Sequence, residues 1–191
     1  MRLTARWRAW ASHHRVHVGI FFALFYVAFS RPDATRLLAG TAIVALGEVI
    51  RVWACGYLVR NQELTRDGPY RMVRHPLYLG SLLIGLGLSL LAQHALAWAG
   101  SFAFLYLAFY LPAMYVEELR LQSLFGAEYQ EYLEETPRLL PHLRRRQDWP
   151  ADTERRARKS FSWDQAQTRN RELRTVAVMA ALIIVQALKL L

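Results

Sequence analysis

The strongest constraint on this chain is that its charged residues gather in a few segments and leave long apolar stretches almost without charge. We interpret these stretches as five membrane-spanning helices, with the bounds Val16–Ser30, Leu37–Val59, Leu77–Ala92, Ala95–Val116 and Thr175–Leu191. A bilayer core about 30 Å thick needs about 20 helical residues, so the first, third and fifth spans are short. Interfacial side chains and local thinning accommodate such a mismatch. The sequence therefore predicts an all-α integral membrane protein.

Composition supports this class and argues against others. Hydrophobic residues make up 54% of the 191 residues, above the roughly 45–50% of a soluble domain. The single cysteine excludes an internal disulfide and a cysteine metal cluster. No small-x-small cleavage site follows Phe29, so we interpret the first span as a retained helix rather than a signal peptide.

The basic residues are divided unevenly between the two sides of the predicted membrane. Of the 24 Lys and Arg residues, 20 lie before the first span, between the second and third spans, or in 117–174, and only Arg31, Arg36 and Lys189 lie on the other side. The positive-inside rule therefore predicts a cytoplasmic N-terminus and an outside C-terminus. The basic residues behind the net charge of +9 then set the orientation in the membrane and attract anionic lipid headgroups. This explanation of the charge argues against a nucleic acid partner. We expect the protein to lie in a bacterial or archaeal inner membrane.

We treat the chain as one membrane domain, 1–191, with four regions in sequence order. These are the N-terminal spans (16–59), a motif region with spans three and four (60–141), a basic interfacial segment or lid (142–174) and the C-terminal span (175–191).

The short Gln93-His94 connection predicts that spans three and four form a helical hairpin. Small residues recur every four positions along span three, at Ser81, Gly85 and Ser89, and favour close helix packing. Pro112 predicts a kink near the cytoplasmic end of span four, which would open a pocket towards the cytoplasmic loops.

Two charged residues fall inside span two. Glu48 and Arg51 lie three residues apart and so share a helix face. Each ion costs roughly 2.5–3.5 kcal/mol at the middle of a membrane, so pairing, burial against other helices or a functional role must offset this cost. A functional role and a structural ion pair both remain open.

Two polar segments flank spans three and four. The first reads Gly68-x-Tyr70-x-x-x-Arg74-His75-Pro76-x-Tyr78-x-Gly80. Pro76 suits the first turn of a helix, which puts His75 at a helix N-terminus that favours an anionic ligand group. The second reads Glu117-Glu118-x-x-Leu121-x-x-x-Phe125-Gly126-x-x-Tyr129-x-x-Tyr132, followed by Pro137-x-x-x-Pro141. Composition alone would make these a basic interfacial loop and a solvated helix start.

The order and the residue patterns of the two segments resemble those of the isoprenylcysteine carboxyl methyltransferase family and, more broadly, those of the membrane phospholipid methyltransferases. The resemblance covers about Gln62 to Pro141. It implies methyl transfer from S-adenosylmethionine, bound on the cytoplasmic side, to a lipophilic acceptor that enters from the bilayer. The cofactor contacts that it implies are Leu64, Tyr70, His75, Pro76, Tyr78 and Glu117, with Glu118 a weaker candidate.

One position departs from the family pattern. In the prenylcysteine enzymes an Arg that engages the substrate carboxylate stands four residues before the first of the two Glu, and here that position is Ala113. The acceptor therefore stays open between a prenylcysteine carboxylate, a phospholipid amine, and a small lipophilic thiol, amine or acid. The residues single out no general base, and the six histidines lack the spacing of a metal site.

Two alternatives remain at the level of the sequence. Some membrane sterol reductases share part of this C-terminal arrangement and use NADPH, although this chain has fewer spans than we expect for them. A non-catalytic membrane protein that keeps the fold as a lipid-binding module is the other.

Overall fold

The computed structural model describes residues 2–59, 62–141, 160–169 and 172–191, and every extended regular element in these ranges is a helix. The five long helices are α1 (Arg2–Phe29), α2 (Leu37–Tyr57), α3 (Pro76–Leu91), α4 (Ala95–Glu135) and α5 (Glu172–Leu188). Each predicted span overlaps one of these helices, although α1 and α4 extend well beyond the spans predicted in them. The all-helical class is confirmed.

Among the residues that the structure describes, two helical stretches are long and apolar enough to cross a membrane, namely 24 residues at Ala34–Tyr57 and 41 residues at Ala95–Glu135. Pro76–Leu91 and Arg174–Leu188 are shorter apolar helices. Large apolar side chains are exposed along the helices, as at Phe21 (73% exposed) and Leu96 (90% exposed). Such surfaces are unfavourable in water and favourable against lipid, as expected for a membrane protein.

α2 and α3 approach each other through pairs of glycines. A Cβ atom on Gly47 would lie 2.7 Å from the carbonyl oxygen of Gly80, and one on Gly40 would lie 2.8 Å from that of Gly87. The predicted small-residue row on α3 is used differently. Gly85 receives the ring of Phe102 from α4. The closest backbone approach therefore runs along Gly80 and Gly87 instead.

Two buried clusters hold the helices together. One joins α1, α2, α3 and α5, and its buried members are Tyr26, Val44, Ile84, Leu88, Leu91, Ala92 and Leu182. The other joins α3 and α4 through Tyr78, Tyr106 and Met114. Tyr106 donates its hydroxyl hydrogen to the carbonyl of Tyr78 at 2.9 Å, which fixes the register of α4 against the start of α3.

The connections at one end of the helices are joined to each other. The backbone N–H of Asp33, after α1, donates to the carbonyl of Leu91 at 2.8 Å, and that of Gln93 donates to Arg31 at 2.8 Å. Gln186, near the end of α5, donates to the Ser30 hydroxyl at 2.8 Å. The α1–α2 and α3–α4 connections and the end of α5 therefore lie together.

The interruption in α4 falls at Gly126 rather than at Pro112. Gly126 has φ 52° and ψ −122°, angles that only glycine adopts readily, whereas Pro112 lies inside regular helix. Beyond Gly126 the chain is helical again as far as Glu135, with Tyr129 and Tyr132 buried. The break in the backbone of α4 therefore lies 14 residues beyond Pro112.

Only part of the predicted basic interfacial segment (142–174) is described, because residues 142–159 and 170–171 lie outside the described ranges. The described part packs on the end of α2. Phe161 lies so close to Gly56 that a Cβ there would overlap its ring, and the Ser162 N–H donates to the Gly56 carbonyl at 3.0 Å.

Candidate functional site

The site is built where the start of α3 meets the segment that follows α4. The backbone N–H groups of Arg74 and His75 donate to the carbonyls of Pro137 and Arg138 at 2.8 and 3.1 Å. Pro76 then begins α3, and its missing N–H costs nothing at that position. Two stretches more than 60 residues apart in sequence are thereby joined at the motif.

Glu118 is the centre of an ion cluster at this junction. Its Oε1 lies 3.0 Å from Nη1 of Arg74 and 3.2 Å from Nε2 of His75. Arg138 binds both carboxylate oxygens, at 3.0 Å through Nε and 2.5 Å through Nη2. The Glu118 side chain is only 10% exposed, so these contacts replace its hydration. We call Arg74, His75, Glu118 and Arg138 the ion cluster.

Glu118 lies beyond the apolar part of α4, and its pKa reflects the ion cluster. Burial by itself would raise this pKa, but hydrogen bonds from His75 and Arg138, with the charge of Arg74, lower it to about 2. The hydrogen bond to Glu118 also raises the pKa of Arg138. The carboxylate is therefore ionised at every physiological pH and braces the start of α3.

Glu117 has different surroundings although it is the neighbour of Glu118. Successive residues of a helix point about 100° apart, so the two carboxylates cannot face the same way. Glu117 is exposed, and its Oε2 accepts a hydrogen bond from the Tyr78 hydroxyl at 2.8 Å. Of the two acids, Glu117 is the one that a ligand can reach.

Aromatic rings surround Tyr78. Tyr110 meets it edge to face at 5.7 Å between centroids, and Tyr106 stacks on Tyr110 at 4.7 Å. The guanidinium carbon of Arg15, from α1, lies 5.7 Å from the centre of the Tyr78 ring. Because Tyr78 is 9% exposed, its hydroxyl and ring are held in one position.

The structure joins four of the residues implied as cofactor contacts through direct side-chain contacts: His75, Tyr78, Glu117 and Glu118. Pro76, at the first position of α3, is buried as well. The other two, Leu64 and Tyr70, lie earlier in the loop.

Leu64 is half-buried, and Tyr70 lies in a 3-10 turn, Gly68–Arg71. The Tyr70 carbonyl accepts the Tyr132 hydroxyl hydrogen at 2.7 Å, so the chain beyond Gly126 covers this loop. Arg66 strengthens the contact through an ion pair with Glu131 at 3.1 Å. Binding of a cofactor by any of these residues stays a prediction.

Sequence reasoning missed two kinds of residue. Arg74 and Arg138 both lie inside the two motif segments, and a basic residue in the same motif as an acidic pair is a signal that could have found them. Arg15 and Tyr110 carry no such signal, because only the packing of α1 and α4 brings them to Tyr78.

The charged pair of α2 faces the same region. Arg51 donates from Nη1 to the Ser81 hydroxyl at 2.6 Å, about one turn beyond Tyr78. Glu48 is buried one turn before Arg51. Ala113, which stands where the prenylcysteine enzymes have an arginine, is fully buried. Within the described ranges, no group of three His, Cys, Asp or Glu side chains is arranged to hold a metal ion.

Comparison with known proteins places this region in a family. The phospholipid methyltransferase family model matches residues 35–128, from the start of α2 to just past the break in α4. The chain is 34% identical over 136 residues to the cobalt-zinc-cadmium resistance protein CzcN of Cupriavidus metallidurans, which covers 68% of this chain and 62% of that protein.

Two further relatives have names that state a reaction. Methanethiol S-methyltransferase 2 of Bradyrhizobium diazoefficiens is 43% identical over 96 residues, or 49% of this chain and 35% of that protein. A probable protein-S-isoprenylcysteine O-methyltransferase of Oryza sativa is 29% identical over 116 residues, or 54% of this chain and 60% of that protein. The chain spans less than two thirds of the length of each relative. No solved structure matches it.

The matched region contains α3, Tyr78 and both glutamates, which are the parts of the molecule that the ion cluster and the Tyr78–Glu117 hydrogen bond organise. Residues 35–128 match a phospholipid methyltransferase domain, and the relatives of the chain include isoprenylcysteine O-methyltransferases and CzcN, a pattern consistent with the isoprenylcysteine carboxyl methyltransferase-like family.

Proposed function

We propose that the protein transfers a methyl group from S-adenosylmethionine to a lipophilic acceptor at the cytoplasmic side of the membrane. The observation that carries this proposal is the exposed Glu117 carboxylate, held by Tyr78 in the matched region and next to the buried Glu118 at the centre of the ion cluster. An accessible acid next to an aromatic ring suits a ligand that combines hydroxyl and amino groups with a positive sulfur.

The residues present fit this cofactor. Glu117 has an exposed carboxylate that can accept hydrogen bonds from ribose hydroxyls or from the amino group. The Tyr78 hydroxyl orients that carboxylate through its 2.8 Å hydrogen bond. S-adenosylmethionine, when bound, supplies a methyl group on a sulfonium, which is already a good leaving group.

The protein then has to align the reactants and exclude water rather than activate the donor. The ion cluster holds the first turn of α3, and with it Tyr78, so that Glu117 is kept in one place. We assign no general base. Leu64, Tyr70, His75 and Pro76 would line the same pocket.

We also propose five membrane helices with a cytoplasmic N-terminus, an outside C-terminus and an α3–α4 hairpin, in a prokaryotic inner membrane. The joined connections support this, because Arg31, Gln93 and the end of α5 lie together at the end that carries few basic residues. The ion cluster lies at the other end of α3, where the basic segments begin. The segment 142–174 would lie on the membrane surface on that side.

The test is methyl transfer by purified protein in lipid nanodiscs. Protein is incubated with S-adenosylmethionine labelled in its methyl group and with a membrane lipid extract, and label in the organic phase is counted. We expect labelled product that S-adenosylhomocysteine inhibits. Failure to bind S-adenosylhomocysteine, in folded protein, would overturn the proposal. NADPH binding would then favour the reductase, and binding of neither would favour a non-catalytic module.

A further inference from the structure

Arg15 carries a positive charge into the helices beside the proposed pocket. It lies on α1, and its guanidinium is 5.7 Å from the Tyr78 ring centre. Its hydrogen bonds go to the carbonyl and the hydroxyl of Ser12, one turn earlier, at 3.1 and 3.2 Å. Within the described part of the chain, no carboxylate pairs with Arg15. A part-buried guanidinium without a counter-ion favours an anionic ligand.

The Tyr110 hydroxyl lies against α1 about one turn beyond Arg15. A Cβ atom on Gly19, one turn after Arg15, would be 3.7 Å from that hydroxyl, an ordinary van der Waals contact. The Tyr110 hydroxyl donates no hydrogen bond to any described residue, whereas the neighbouring Tyr106 hydroxyl is bonded to the Tyr78 carbonyl. It is thus a donor that a ligand could use.

A second cation, Arg51 of α2, lies in the same region. Its Nη1 donates to the Ser81 hydroxyl at 2.6 Å, about one turn beyond Tyr78. Glu48 lies one turn before Arg51 on α2 and offers that cation a carboxylate within reach. Of Arg15 and Arg51, Arg15 is therefore the cation available to a ligand.

We propose that Arg15 and the Tyr110 hydroxyl bind the anionic head of the methyl acceptor, a thiolate or a carboxylate, with Arg15 as a specificity-determining residue. This inference rests on the proposed methyl transfer. Tyr110 lies three residues before Ala113 on α4, so Arg15 brings a guanidinium from α1 towards the part of α4 where the family's substrate arginine would stand.

The chemistry favours an anion here. A lone pair of the acceptor sulfur or oxygen forms the new bond to the methyl carbon while the bond from that carbon to the donor sulfur breaks and leaves its electron pair there. The anion becomes a neutral thioether or ester, the sulfonium becomes neutral S-adenosylhomocysteine, and no proton has to be removed. A guanidinium also favours the thiolate over the thiol. An amine acceptor would instead be repelled by Arg15 in its protonated form.

The test compares three acceptors with the same tail: 1-decanethiol, decanoic acid and decylamine. Each is supplied in nanodiscs with methyl-labelled S-adenosylmethionine. We expect label on the thiol or on the acid and none on the amine. The compound that is labelled shows whether the acceptor anion is a thiolate or a carboxylate. Methylation of the amine in preference to both would overturn the inference.

The variant Arg15→Gln tests whether the preference for an anionic acceptor depends on Arg15. We expect it to raise KM for the anionic acceptor about 10- to 100-fold, the loss of one charge-assisted hydrogen bond, while S-adenosylhomocysteine affinity stays unchanged. Arg15→Lys should recover part of the loss. Arg120→Gln removes the same charge from an exposed site on α4 and should leave KM unchanged. An unchanged KM in Arg15→Gln would overturn the inference.

A non-nucleophilic anion separates this inference from the methyl transfer. Decanesulfonate should bind saturably to the wild-type protein in calorimetry and at least 10-fold more weakly to Arg15→Gln. Equal binding to both would overturn the anion site even in a protein that binds S-adenosylhomocysteine. Loss of S-adenosylhomocysteine binding alone would instead overturn the proposed function.

Discussion

At the scale of single residues, the two adjacent glutamates of α4 have different contacts because successive residues of a helix point in different directions. Glu118 is buried against Arg74, His75 and Arg138, while Glu117 is exposed and bonded to Tyr78. The sequence showed both as an acidic pair next to a membrane span. It could not show which one was braced, because their partners come from segments about 40 residues earlier and 20 residues later.

Glu118→Gln should therefore destabilise the protein. Its ordinary pKa of 4.5 is lowered to about 2 in the folded state, so the ionised form contributes on the order of 2–3 kcal/mol at neutral pH. We expect Tm to fall by about 5–10 °C, measured in detergent at pH 7. Glu134→Gln, an exposed site on the same helix, should leave Tm unchanged.

The same substitution predicts a pH dependence. Because the folded pKa lies below the ordinary one, the stabilisation is complete above pH 4.5 and is lost as the pH falls towards 2. The gap in Tm between wild type and Glu118→Gln should therefore be constant from pH 7 to 5 and shrink below pH 4.5. A gap that widens on acidification would contradict the role of Glu118 as an ionised centre.

At the scale of elements, the sequence predicted where helices lie better than how they touch. Apolar runs gave all five helix positions, because apolar length and helix formation are linked by the membrane. α1 and α4 extend well beyond those runs, to Arg2 and Glu135, through polar stretches whose helicity hydropathy does not report. The break at Gly126 was also missed, since Pro112 was the more obvious interruption and positive φ cannot be recognised from one glycine.

The glycine contact between α2 and α3 gives a prediction for packing. In Gly47→Ala the new methyl group would lie 2.7 Å from the Gly80 carbonyl oxygen and 3.0 Å from the Ile84 nitrogen, and backbone atoms cannot move aside separately. We expect a loss of about 1–3 kcal/mol in stability, measured by thermal unfolding. Gly100→Ala, on α4 with nothing within 4 Å, should be neutral or slightly stabilising.

At the scale of the whole molecule, basic residues predict which end faces the cytoplasm. Membrane-impermeant maleimide should label Gln93→Cys from the outside and Glu134→Cys only after the inner face is exposed, since both positions are exposed on the protein. The natural Cys55 is buried and should react little. Labelling of both cysteines from the same side would contradict five spans with this orientation.

The measurement that tests the central claim most directly is S-adenosylhomocysteine affinity in the wild type, Glu117→Gln and Glu134→Gln, by calorimetry, with Tm measured on each. We predict micromolar binding by the wild type and by Glu134→Gln, and binding at least 10-fold weaker in Glu117→Gln at unchanged Tm. Equal affinity in all three proteins would contradict the assignment of Glu117 and the pocket built around it.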